Sequence, residues 1–220
     1  MNKRNLSIII ILLVFCAIVS AQSGFEGTIE YKIDEKGNES NMSYSVKGES
    51  IRIDVKSDEE VTIIFNNDKI LFIMPSQKMY MEYPKSMMEK MIKNVMGNDD
   101  KAEKETVDIL KYKTSETADI LGYTCSKWSY PNDSGISEVW ATEELGNFMF
   151  FKNPMESGNS NVFDFFNNTA FFPLKIISKD SEGNKSVNFE AVGIVKKQLN
   201  ESDFTAPADY RKMDIPGNME

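Results

Sequence analysis

Phe25-Glu26-Gly27-Thr28-Ile29-Glu30-Tyr31-Lys32-Ile33-Asp34 alternates dry and wet side chains over ten residues. Side chains of an extended chain point to opposite faces in turn, so a period of two predicts a strand with one buried and one solvated face. Met42, Tyr44 and Val46 repeat the pattern, as do Ile51, Ile53 and Val55, with Lys36-Gly37-Asn38 and Gly48 where turns are needed. Half-wet strands of this kind belong to antiparallel sheet. Glu60–Phe65 and Lys69–Met74 flank a hairpin turn at Asn66-Asn67-Asp68. There Ile64, Leu71 and Ile73 make the second face apolar as well. Either something covers the sheet on both sides at this point, or the sheet curves around a cavity.

After Lys78–Tyr83 the period changes. Ser86-Met87-Met88-Glu89 has the form of a capping box, Met87, Met88, Met91, Ile92, Val95 and Met96 follow at helical spacing, and Gly97 suits the stop. Strands resume with 107–113, 120–130 and 135–141, with Gly122 as a bulge or bend, and 174–179 and 185–197 read as a long hairpin. Between them, 148–172 carries eight phenylalanines among Gly, Asn and Ser, with a short helix over 161–168. No repeat or linker divides the chain, so 22–220 reads as one domain. Its class is mainly β (α+β): a strongly curved antiparallel sheet, a half-barrel, with helices over the concave face.

Lys3 and Arg4 precede an almost unbroken apolar run, Leu6 to Val19, and Val19-Ser20-Ala21 fits a cleavage site. Residues 1–21 therefore read as a secretory signal peptide, with Gln22 as the mature N-terminus. The run is shorter than the roughly 20 residues that span a bilayer, so no stable membrane insertion is expected after cleavage. Net charge is −9 over 220 residues, and losing Lys3 and Arg4 makes it more negative by two. Such a surface repels nucleic acid. Histidine is absent, which removes the Ser/His/Asp and Cys/His nucleophilic arrangements and every His-containing zinc site. Only Cys16 and Cys125 are present, and cleavage leaves Cys125 without a partner. In strand periodicity beside Tyr123, Cys125 reads as a buried structural thiol.

The opening Phe25-Glu26-Gly27-Thr28-Ile29-Glu30-Tyr31, the piece Ile120-Leu121-Gly122-Tyr123-Thr124-Cys125-Ser126-Lys127-Trp128, the segment Phe172-Pro173-Leu174-Lys175 and the tail Phe204-Thr205-Ala206-Pro207-Ala208-Asp209-Tyr210 carry a resemblance. Together they resemble a family of secreted bacterial domains of unknown function. That family is similar in architecture to the periplasmic carriers and receptors that move lipoproteins between bacterial membranes. The resemblance implies an incomplete antiparallel barrel with helices over an apolar hollow, in a Gram-negative periplasm. It brings no catalytic residues.

The chemistry available is correspondingly narrow. No two glycines are separated by a single residue, and there is no P-loop, no G-x-S-x-G elbow and no S-x-x-K dyad. No enzyme and no cofactor are expected. Seven methionines fall within 74–96, and flexible thioethers suit a site that accepts variable acyl chains, or simply a Met-packed core. The candidate ligand-lining set is Met79, Met81, Met87, Met88 and Met91, with Phe163 and Phe166 from a lid formed by the phenylalanine-rich stretch. The expected function is non-enzymatic binding of a hydrophobic ligand, with a lipid or the acyl part of a lipoprotein as partner. Its rivals are a cell-envelope interaction module with a filled core, and a Cu(I) protein built on Met79-Tyr80-Met81.

Overall fold

The computed structural model describes residues 24–214 apart from 36, 67, 85, 87–108, 133–134, 147, 149–165, 167–168 and 181. The expected signal peptide therefore lies outside the described residues. Twelve strands among the described residues form one open sheet: β1 (Gly27–Glu35), β2 (Asn38–Lys47), β3 (Ser50–Lys56), β4 (Glu60–Phe65), β5 (Lys69–Met74), β6 (Met79–Pro84), β7 (Lys113–Ile120), β8 (Tyr123–Asn132), β9 (Gly135–Thr142), β10 (Phe172–Asp180), β11 (Lys185–Lys196) and β12 (Arg211–Lys212). Their spatial order is β12-β6-β5-β4-β3-β2-β1-β11-β10-β9-β8-β7. Every neighbouring pair is antiparallel except β12, which runs parallel to β6.

The registers confirm the alternation read from the sequence. Ile29 lies opposite Tyr44, which lies opposite Ile53, so these side chains share one face. This inner face supplies most of the main core, from Phe65 and Ile70 on one side of the sheet to Trp128 and Val139 on the other. The sheet is bent toward it. Tyr44 on β2 and Phe172 on β10 are separated by three inter-strand steps, about 14 Å in a flat sheet. Their ring centroids nevertheless stand only 5.4 Å apart. Tyr31 on β1 likewise donates its hydroxyl to the Pro173 carbonyl, at 3.0 Å.

The doubly apolar stretch at β4 and β5 finds its cover on the outer face. Ile64, Leu71 and Ile73 form a second, smaller core with Leu199 and Phe204, joined by Tyr80, Ala206 and Tyr210. Residues 197–213 thus cross the outer face as a strap and end as β12 against β6, with the Arg211 and Met213 N–H groups donating to the Lys78 and Tyr80 carbonyls. The sheet both curves and is covered on two sides here.

Two expectations need correction. Residues 120–130 are not one strand: the chain reverses at Leu121-Gly122, whose φ angles of 54° and 84° make a left-handed two-residue hairpin turn. Of the expected strand 107–113, Ile109–Tyr112 is a 3-10 turn and only Lys113 belongs to a strand, as the first residue of β7. Among the described residues no α-helical element lies over the concave face. The helices expected over 86–96 and 161–168 fall outside the described residues except at Ser86 and Phe166. What does cover the inner face is aromatic side chains from the phenylalanine-rich stretch.

Candidate ligand-binding face

Phe148 and Phe166 are wholly buried. Phe148 stacks on Tyr44 at 5.7 Å and meets Phe172 edge-on at 5.2 Å. Phe166 meets Trp128 edge-on at 5.6 Å, and Phe171 tilts against the same indole at 4.8 Å. Offset and edge-on arrangements place the positive rim of one ring near the negative face of another. The centre of the inner face is therefore filled by a closed aromatic cluster, and the expected lining residue Phe166 is one of its members.

Toward β6 the packing opens. The register sets Met79, Met81 and Tyr83 opposite Met74, Phe72 and Ile70, so these six form one stripe on the inner face. Met79, Met81 and Tyr83 are each only half-buried. Phe72 meets Tyr83 edge-on at 5.5 Å, and the Tyr83 hydroxyl donates to the Met81 sulfur at 3.5 Å. The structure thus sets Met79 and Met81 side by side on the inner face, at some remove along the sheet from Phe166. Met87, Met88, Met91 and Phe163 lie outside the described residues. The Arg211 guanidinium stands 3.1 Å from the Met79 sulfur and places a fixed positive charge where a Cu(I) ligand would have to bind another. Among the described residues no cluster of Cys, Asp and Glu could hold a metal ion.

Cys125 is wholly buried in the main core, with its thiol directed at the Tyr123 carbonyl. Burial, with Asp119 and Glu144 nearby, pushes its pKa up to about 11, the opposite of a reactive thiol. The outer face carries a polar groove of about 510 Å³ beside β1 to β4. Its most ordered feature is Arg52, which clasps Asp54 through two 2.8 Å bonds and donates to the Asp203 carbonyl of the strap at 2.9 Å. Thr62 donates to the same Asp54 carboxylate at 2.6 Å. These bonds hold Arg52 in its charged form and fasten the strap. Sequence reasoning missed this network because Arg52, Asp54 and Thr62 read only as the wet side of alternating strands.

Residues 25–210 match a protein-family profile described as a domain of unknown function, DUF4412. No curated protein matches the chain. Among solved structures, the chain is similar to an uncharacterized conserved protein from Thermus thermophilus, at 9% identity and a TM-score of 0.49, covering 86% of this chain and 90% of that one. It is also similar to MucB in the Pseudomonas aeruginosa MucA/MucB complex, at 8% identity and a TM-score of 0.46, covering 86% of this chain and 58% of that one. A putative outer membrane lipoprotein-sorting protein domain from Vibrio parahaemolyticus matches at 10% identity and a TM-score of 0.26, over 81% and 87% of the two chains.

Proposed function

The chain belongs to the DUF4412 family of unknown function, and from its inner face we propose that it is a periplasmic, non-enzymatic protein that binds a hydrophobic ligand, a lipid or the acyl chain of a lipoprotein. The observation that carries this reading is the half-open stripe of Met79, Met81, Tyr83 and Phe72 beside an otherwise closed core. A sheet edge that served only to close the fold would bury these side chains or replace them with polar ones. Thioethers and aromatic rings adapt to chains of different length, which suits acyl groups better than a ligand of fixed shape. Export through the Lys3–Ala21 segment would place the protein where such ligands cross between membranes. Among the described residues no helix is long and apolar enough to span a bilayer.

Uptake of a fluorescent fatty acid tests the proposal. Saturable binding that Met81→Glu weakens at least tenfold, with an unchanged urea midpoint, supports it. The absence of saturable binding by the wild-type protein would refute it. A second reading, an envelope interaction module with a filled core, draws on the packing of Phe148 and Phe172 against Tyr44 and of Phe166 against Trp128. It requires that every substitution on the inner face act through stability alone.

A further inference from the structure

On the same inner face, at the end of the sheet away from Met79, a pocket of about 210 Å³ opens between β8, the end of β9 and Phe171. Trp128 lines it and is wholly buried, yet its indole N–H has no acceptor among the described residues. A buried donor without a partner is rare enough to call for an explanation, and a bound acceptor is the simplest. Three hydroxyl residues, Thr124, Ser126 and Thr142, share the lining, and Glu143 and Glu144 are exposed at its mouth. Glu144 accepts the Thr124 N–H through one oxygen at 3.4 Å, a long bond. The half-buried Phe171 ring gives an apolar wall, and the Lys113 ammonium lies 5.2 Å from the Trp128 ring centroid and 5.5 Å from that of Phe171.

This set of groups discriminates by charge. An anionic head would meet two carboxylates, Glu143 and Glu144, against the single ammonium of Lys113. A cationic head has no lone pair for the indole N–H and would approach Lys113. A neutral group with several hydroxyls meets each demand: one oxygen accepts from Trp128, its O–H groups donate to the carboxylates, and its C–H face lies on Phe171. We infer that this pocket binds a neutral polyhydroxy group, either the glycerol or sugar head of an amphiphile or a free saccharide. The amphiphile source rests on the carrier reading above, and the saccharide source does not.

The chain has only two tryptophans, Trp128 and Trp140, so ¹⁵N spectra of the full protein contain two indole N–H peaks, assigned with Trp140→Phe. The probes are methyl glucoside, monolauroylglycerol below its micelle concentration, and laurate. The Trp128 indole proton is expected to move downfield with both polyol probes and to stay in place with laurate. Glu144→Ala should weaken methyl glucoside binding about fivefold, the worth of one hydrogen bond, without moving the melting temperature. If laurate binds but neither polyol moves the peak, a buried water is the partner of the N–H and the inference fails while the carrier reading stands. If methyl glucoside moves the peak and neither lauroyl probe binds more tightly than it, the inference stands for a free saccharide and the carrier reading fails.

Discussion

Cys125 shows how a single side chain excludes a chemistry. Its pKa of about 11 leaves almost no thiolate at neutral pH, and no atom of the wholly buried side chain is open to a reagent. Labelling of the native protein by a disulfide reagent should therefore be slow and should track unfolding. Cys125→Ser should cost about 1–2 kcal/mol in urea denaturation, by placing a hydroxyl in an apolar site. Rapid labelling at pH 7 would contradict this assignment. Strand periodicity beside Tyr123, in a chain without histidine, was enough to read this residue as structural. The turn four residues earlier was not legible. Leu121 is apolar, non-glycine and 46% exposed at a positive φ, so it read as a continuation of the strand. Leu121→Asn should raise the unfolding free energy measured in urea slightly, by roughly 0.5–1 kcal/mol, because asparagine tolerates the left-handed region. Gly135 stands at φ 147° with the Lys179 carbonyl pressed against the place of a Cβ, so its strand opening accepts no side chain without a backbone shift.

At the scale of elements, the strap over 197–213 is the part whose role could be half read in advance. The second apolar face at Ile64, Leu71 and Ile73 required a cover, but the cover comes from far along the chain. Leu199, Phe204 and Tyr210 show no strand or helix period that would have marked them as core. Phe204 is buried against that face, and Phe204→Ala should cost about 3–5 kcal/mol by leaving a cavity. The strap is also tied by carboxylates. The Leu199 N–H donates to Glu26 at 2.8 Å and Lys78 bonds Asp209 at 2.9 Å, and these bonds hold both acids below their ordinary pKa. A folded pKa below the unfolded one means full stabilisation above the ordinary carboxylate range, lost as pH falls through the folded value. Hydrogen exchange at Leu199 and Arg211, corrected for intrinsic rates, should thus become less protected as pH is lowered through that range. Glu26→Gln should flatten the response at Leu199. Protection that rises on acidification would contradict the tie.

For the whole molecule, the order β12-β6-β5-β4-β3-β2-β1-β11-β10-β9-β8-β7 explains why the two ends of one face differ. Nearly all of the sheet is built from sequence-adjacent hairpins, which is why alternation and turn residues made most strands legible. The closing pair β1 with β11 joins the first strand to the eleventh, and no local pattern announces it. The bend that follows drives Tyr44 against Phe172 and seals the middle of the face, leaving the β6 stripe half-open. Met79 and Met81 drew notice in the sequence because thioethers concentrate there. The Trp128 pocket was not, since its polar partners are spread over two strands and a loop. The inner face is proposed to carry a hydrophobic ligand. Native mass spectrometry of the protein purified from a Gram-negative periplasm tests it most directly. The expected result is a mass excess that organic extraction removes and that yields an acyl-bearing species, lost in Met81→Glu. A wild-type protein that emerges at its bare polypeptide mass, and takes up no acyl species when offered one, would contradict it.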